Sequence, residues 1–143
     1  MRKFQAKKKK SPENDSTKFK NKKVEIDGHK FDSKAESRRY IELKELAATG
    51  TIRDLTLQKR FKLIPAQRVG GRLIERAVDY VSDFCYRYSD GLIVEDVKSP
   101  FTKTPAYIIK RKLMLYVHGI IIKEVYQPRG NASKTNSKVA PSD

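Results

Sequence analysis

Cysteine is all but missing from this chain of 143 residues: Cys85 stands alone, so no disulfide can form within it. Histidine is nearly as scarce, and His29 and His118 with one cysteine cannot assemble a Cys/His zinc cluster. No apolar run approaches the roughly 18 residues that a membrane span needs, and the first residues lack the apolar segment of a secretory signal. A cytoplasmic protein without a membrane partner is therefore expected. The sequence also lacks a phosphate-cradling Gly-x-x-x-x-Gly-Lys-Ser/Thr loop, which argues against a nucleotide cofactor and an ATP-driven motor. Acidic residues are outnumbered, 17 Asp and Glu against 32 Lys and Arg. The resulting formal charge of +15 suits a chain that seeks polyanions.

The positive excess is uneven. Residues 1–23 hold ten Lys and Arg against Glu13 and Asp15, and include the run Lys7 to Lys10 followed by Ser, Pro and Asn. Such a segment has no apolar periodicity and too little apolar surface to offset ordering entropy, so residues 1–24 are expected to form a disordered basic arm. That arm is either a phosphate contact or a solubilising tail. Residues 128–143, rich in Ser, Asn, Lys and Ala, are expected to be a disordered tail. Between them, residues 25–127 are the right size for one small domain with one core.

Within that domain, Ser33 to Ala48 reads as a helix with Ser33 or Asp32 as N-cap and Gly50 just past its end. Glu36, Tyr40, Leu43 and Ala47 share one helical face. Ile52 to Ile64 reads as a strand, Gly70-Gly71 as a reversal, and Leu73 to Tyr88 as a longer strand. The longer strand carries Tyr80, Phe84, Tyr86 and Tyr88 on one face, with Val81, Asp83 and Cys85 on the other. Asp90-Gly91 signals a hairpin turn into a strand over Leu92 to Lys98. Thr104-Pro105 is a good N-cap and first-turn pair for a second helix, with Ile109, Leu113, Tyr116 and Val117 as its buried side and Gly119 at its end. Ile120 to Tyr126 is the last strand. The expected class is α/β with a mixed central sheet, the last strand joined through the second helix by a parallel crossover.

Asp83 interrupts an otherwise apolar face, where an unpaired carboxylate is costly, and ligation of a cation explains it better than a surface position. Side chains alternate along a strand, so Asp96 and Lys98 project together while Val97 and the adjacent acid Glu95 point the other way. Asp83 and Asp96, on neighbouring strands, can then converge on a hard divalent cation with an ammonium beside it. Phosphodiester hydrolysis needs those parts. Lys98 also admits a plain reading as a bridge to Asp96. Glu36 sits at the start of the core-facing stripe, and Ser33-Lys34-Ala35-Glu36 is also a capping box. Gln58, on the first strand, has a phosphate-contacting and a merely structural reading. Tyr107, Lys110 and Lys112 offer groups that can grip a DNA backbone, and a solvated helix face is the rival explanation. His118 is read as complementing the second helix's dipole, and His29 as a loop residue before the first helix.

With these elements in view, the chain resembles the PD-(D/E)xK nuclease superfamily over most of residues 30–126, through the order αβββαβ. Lys30 to Tyr40, Leu57-Gln58, Tyr80 to Tyr86 and Val94 to Lys98 are similar to a family of small phage-encoded nucleases and Holliday-junction-resolvase-like proteins. The resemblance implies a restriction-endonuclease-like core, with Glu36 as the first-helix acid, Asp83 and Asp96 as metal ligands and Lys98 as the motif lysine. Ser82 stands where the motif usually has proline. The implied cofactor is Mg²⁺, with Mn²⁺ as an alternative, and the implied product carries a 5′-phosphate. The expected function is a metal-dependent DNA endonuclease acting on branched DNA in recombination or DNA processing, working as a homodimer in the host cytoplasm if phage-encoded. Two alternatives stand beside it: a nuclease of linear duplex, and a non-catalytic basic DNA-binding protein. The second leaves two inward-facing carboxylates unexplained, since they repel a phosphate backbone unless a cation intervenes.

Overall fold

The computed structural model describes residues 22–128. The basic arm expected over residues 1–24 lies outside them apart from Lys22, Lys23 and Val24, and the tail expected over 128–143 lies outside them apart from Pro128. The chain enters through β1 (Val24–Ile26) and β2 (His29–Phe31), an antiparallel hairpin. Its turn residues Asp27 and Gly28 take φ of 52° and 77°, the left-handed pair that a tight primed turn demands. His29 therefore lies in a strand, not a loop, with its ring against the edge of Tyr40.

Helix α1 (Lys34–Ala48) starts at Ser33, whose Oγ accepts from the Glu36 amide at 3.1 Å. Tyr40 and Leu43 are buried and Ala47 packs beside them, as their spacing requires.

The two long strands need correction. The first is broken into β3 (Arg53–Leu57) and β4 (Arg60–Ile64). The second is broken into β6 (Arg72–Glu75), β7 (Val78–Val81) and β8 (Phe84–Tyr88), and β5 (Gln67–Val69) pairs with β6 across Gly70-Gly71. Two of the breaks face each other. Gln58 N donates to the Asp83 carbonyl at 3.2 Å, and Ser82 N to the Lys59 carbonyl at 3.0 Å. Gln58 adopts φ of 51° to make its half of the bend. Below the bend β3 pairs with β8, and above it β4 pairs with β7. The bend folds the far half of the hairpin back toward the molecule, burying Phe61, Leu63 and Tyr80 instead of leaving them in water.

The break also changes which side chains share a face. Tyr80 packs in a different cluster from Phe84 and Tyr86, Val81 is 43% exposed and Tyr88 57% exposed, so the single four-aromatic face expected for one straight strand does not form.

β9 (Gly91–Lys98) follows a connection at Ser89-Asp90, one residue earlier than Asp90-Gly91 predicts, with Ser89 at φ of 51° and Gly91 already paired with Tyr88. Helix α2 (Pro105–His118) is capped by Thr104, as expected, and β10 (Lys123–Tyr126), shorter than the strand expected from Ile120, is the last strand among the described residues. The central sheet has the order β10-β9-β8-β3, with β10 parallel to β9 and the other pairs antiparallel. The protein is thus α/β, with two helices and a mixed central sheet accompanied by two-stranded ribbons.

Each face of the central sheet carries its own core. On one side Phe31, Tyr40, Leu43 and Ile52 meet Phe84, Tyr86 and Val97; on the other Phe61, Leu63, Tyr80, Tyr107 and Met114 meet Cys85 and Val94. The buried side of α2 differs from expectation. Tyr107 and Met114 are buried and Leu113 packs half-buried against the same core as expected, whereas Ile109 is 59% and Tyr116 87% exposed, and Val117 is exposed too. Both sets have helical spacing; the observed one also brings the Tyr107 hydroxyl and Arg111 to Glu124 of β10, at 3.1 and 2.6 Å. Gly119 caps the far end at φ of 66°, and His118, the basic residue of the last turn, has its Nε2 2.7 Å from the Lys62 carbonyl of β4. Among the described residues, no helix is long and apolar enough to cross a membrane.

Candidate functional site

Period-two alternation along β9 sends its two adjacent acids to opposite cores. Glu95 and Val97 face α1, while Val94 and Asp96 face α2. Asp96 is 6% exposed, and both its oxygens are engaged: Lys98 Nζ lies 3.0 Å from Oδ1, and the Tyr80 hydroxyl donates to Oδ2 at 2.9 Å. Tyr80 reaches this carboxylate only because the bend carries β7 over the central sheet.

Asp83 sits at the bend itself, one step beyond the registered pair Phe84 and Glu95, and so beside Asp96. Its Oδ2 accepts from the Val97 amide at 2.7 Å, which fixes the carboxyl in place. Burial pushes the Asp83 carboxyl up to about 8, helped by a hydrogen bond to Asp96 and by that residue's negative charge; the Val97 amide only partly offsets this. Two carboxyls therefore converge in a half-dry corner where they cannot both ionise cheaply.

Glu36 approaches from the start of α1. Its Oε1 accepts from Ser33 Oγ at 3.1 Å and its Oε2 from the Asp32 amide at 3.3 Å, so the cap forms through the serine hydroxyl and the Asp32 amide, not the Ser33 amide. Burial raises the Glu36 carboxyl above its ordinary value against those hydrogen bonds, with the charges of Asp32 and Asp96 adding to the rise. Lys98 completes the group. Its Nζ rests 3.7 Å from the centre of the Tyr107 ring, a cation–π seat that holds the ammonium beside Asp96. Tyr107 is in turn held by Glu124, which accepts from its hydroxyl and pairs with Lys103 at 2.7 Å and Arg111 at 2.6 Å. Burial raises the Glu124 carboxyl, and the hydrogen bonds from Lys103, Arg111, Tyr126 and Tyr107 outweigh it, holding the group at about 2.

Open space surrounds this corner. A cleft of about 590 Å³ runs between the β1–β2 turn and the bend, lined by Glu36, Asp83, Gln58 and His29. A second, of about 430 Å³, joins Glu36 to Lys98, Lys34 and Thr102, and a third, of about 360 Å³, joins Asp83 and Asp96 to Lys98 and Lys110. Gln58 is exposed on the first of these. Lys110 is half-buried at the third and Lys112 is exposed on α2, while Tyr107 is buried beneath Lys98 with its hydroxyl on Glu124.

A family model described as "Protein of unknown function (DUF1064)" matches residues 16–127. The chain belongs to the DUF1064 family. No curated protein and no solved structure matches it. In this DUF1064 protein, no three His, Cys, Asp or Glu side chains among the described residues meet as a ready metal-holding group. Two do converge, Asp83 and Asp96, and the third acid, Glu36, is turned to its helix cap. The donor set is all carboxylate oxygen, the hard type that suits Mg²⁺ or Mn²⁺, and the like-charge crowding at Asp83 is what a divalent cation would relieve. Asp83 and Asp96 are the residues that would hold such an ion.

Sequence reasoning missed Tyr80 as a partner of Asp96 in this DUF1064 chain. The available signal was the polar pair Ser82-Asp83 inside an apolar run, matched by Gln58-Lys59 in the preceding one: two polar interruptions that can satisfy each other across a bend.

Proposed function

We propose that this protein is a divalent-metal-dependent DNA endonuclease with a restriction-endonuclease-like αβββαβ core of the PD-(D/E)xK type. The observation that carries the reading is the convergence of Asp83 and Asp96 on the α2 face of the sheet, with Lys98 beside them and Glu36 across the cleft. Carboxylates placed so close repel a phosphate backbone, and a site that binds polyanions gains from them only when a cation joins the two. The charge of +15 supplies the attraction for nucleic acid.

In this reading Asp83 and Asp96 would hold Mg²⁺ or Mn²⁺. When bound, that ion supplies Lewis-acid polarisation of the phosphate and lowers the pKa of a bound water. The chain's own residues do the positioning. The Val97 amide holds Asp83, the Tyr80 hydroxyl holds Asp96, and the Tyr107 ring holds the Lys98 ammonium beside the carboxylates. From there Lys98 Nζ can orient the attacking water and offset charge growing on the phosphate oxygens. Glu36, with its raised proton affinity, would leave its hydrogen bonds to Ser33 and Asp32 to assist ligation or accept a proton from that water. Branched DNA is the proposed substrate and a homodimer the proposed state, since two related strands of a junction are best cut by paired sites.

The test is strand cleavage of a labelled four-way junction and a matched linear duplex, in Mg²⁺ or EDTA, with Asp83→Asn alongside. Metal-dependent, Asp83-dependent symmetric cuts confined to the junction support a resolvase. Equal cutting of duplex favours a general endonuclease. Binding without cleavage favours the DNA-binding module, a reading that the capped Glu36 and the missing third ligand also support.

A further inference from the structure

The hairpin that carries Asp83 at its bend continues, at its far end, into a ribbon that contributes nothing to either core. β5 and β6 pair with each other and touch no other element, and every residue from Pro65 to Ala77 is exposed. A free two-stranded ribbon is marginal in water, so one that exposes Val69 at 70%, Ile74 at 54% and Leu73 at 41% lacks a partner for those side chains. Its tip is a tight turn: Gly70 and Gly71 take φ of 56° and 78°, a left-handed pair that glycine adopts without strain.

We infer that the β5–β6 ribbon is a DNA-binding arm that enters a groove of duplex DNA next to the bond-cutting site. This rests on the reading of DNA as substrate. The charge is complementary to phosphate, with Arg68, Arg72 and Arg76 against Glu75 as the one acid between Pro65 and Ala77. The distribution over the two faces selects a groove over a protein surface. Cross-strand partners share a face, so Arg68 stands with Leu73 on one side and Val69 with Arg72 on the other. A ribbon docking on a protein would separate an apolar face from a polar one. At the two paired positions beside the tip each face presents one guanidinium and one aliphatic side chain, with Ile74 at the register break behind them, as suits a groove with phosphates along both walls and base edges at its floor. The B-DNA major groove, about 12 Å wide, admits a two-stranded β-ribbon. At the tip Arg68 Nη1 donates to the Gly71 carbonyl at 3.1 Å, leaving its other donors to the partner.

Connectivity ties the arm to the site. The chain from Arg72 to Asp83 spans at most about 40 Å when extended. That is little more than one turn of B-DNA, about 34 Å, so the arm reaches no further than about a turn from the carboxylates.

The experiment is fluorescence anisotropy of a labelled linear duplex with the full chain in EDTA, over a series of salt concentrations. Wild type, Arg68→Ala/Arg72→Ala and Arg68→Lys/Arg72→Lys are compared, with Mg²⁺ cleavage by wild type and Asp83→Asn run in parallel. Both arginines are exposed and touch no other element, so the fold is kept and circular dichroism should overlay. The alanine variant should bind roughly 10-fold more weakly, and its slope of log affinity against log salt should be shallower by about 2. The lysine variant should restore the slope. Unchanged affinity and slope in the alanine variant would overturn the arm. So would a loss of self-association on sedimentation, which would make the ribbon a contact between copies, or preference for an RNA duplex over DNA. Asp83-dependent cleavage of duplex or four-way junction without a binding contrast sinks the arm and keeps the nuclease; a binding contrast with neither substrate cut keeps the arm and sinks the nuclease. If wild type binds no duplex, the arm falls, and the nuclease is decided by cleavage of the junction.

Discussion

Glu95 and Asp96 are neighbours in sequence and opposites in circumstance. Glu95 is fully buried, yet it is satisfied: Arg39 donates to it through Nε and Nη2 at 2.9 and 2.7 Å, the Tyr86 hydroxyl at 2.5 Å, and Lys123 lies 3.3 Å away. Burial pushes its carboxyl up, and the hydrogen bonds from Arg39 and Tyr86 outweigh that, leaving it below its ordinary value. On the other side of the strand, Asp96 shares its corner with a second acid, and Asp83 is driven up to about 8. One cluster is complete with protein groups alone, and the other has an excess of negative charge. The lesson is that burial of an acid does not mark a site; the balance of its partners does.

The contrast can be broken at its stable end first. Arg39→Ala strands Glu95 in the core and should cost about 3–5 kcal/mol in chemical denaturation. A loss under about 1 kcal/mol would mean that water reaches Glu95 and that the two sides differ less than their geometry indicates. At the other end, Asp96→Asn should lower Mg²⁺-dependent cleavage at least about 100-fold, the upper end of the cost of losing a partner one layer out from a metal. Its thermal unfolding temperature should fall by less than that of Arg39→Ala, because Lys98 loses the carboxylate 3.0 Å away and keeps its seat on the Tyr107 ring.

A pH series sharpens the comparison further. The folded protein keeps at Asp83 a proton that the unfolded chain releases near 3.8. Between about pH 4 and 8 the folded state thus binds more protons than the unfolded one. Metal-free stability from this group must fall as pH rises through that window, and level off above about 8. Asp83→Asn should flatten that part of the curve, whereas Glu95→Gln should leave its slope in place. An identical slope in the Asp83 variant is the result that would sink the assignment.

Smaller effects separate support from participation. Tyr80→Phe removes the hydroxyl on Asp96 Oδ2 and should weaken Mn²⁺ binding by about 10-fold with little change in fold. Smallest is Glu36→Gln. If its role is the cap, it costs under about 1 kcal/mol and cleavage persists; if it serves the site, cleavage falls while stability is nearly unchanged.

Much of this contrast was legible beforehand. Strand parity alone put Asp96 with Lys98 and sent Glu95 away, and it did so because alternation is a property of each strand's own backbone. Ser33 and Thr104 announced both helices for an equally local reason, since a cap needs only the next three residues. Asp27-Gly28 is an equally local signal for the β1–β2 hairpin. The partners of the two acids were not legible. Arg39 lies on another element, and Tyr80 was assigned to the wrong face because the bend reverses parity between β7 and β8.

The sequence by itself determined an α/β chain, its two helix starts, and the pairing of Asp96 with Lys98 on one strand face. All of these depend on interactions spanning only a few residues. Only the tertiary structure decided where the long hairpin bends, which side of α2 is buried, and that Asp83, Tyr80 and Tyr107 gather around Asp96. Those outcomes depend on groups far apart in the chain satisfying one another's hydrogen bonds and apolar surface. Local pattern limits such choices, and packing makes them.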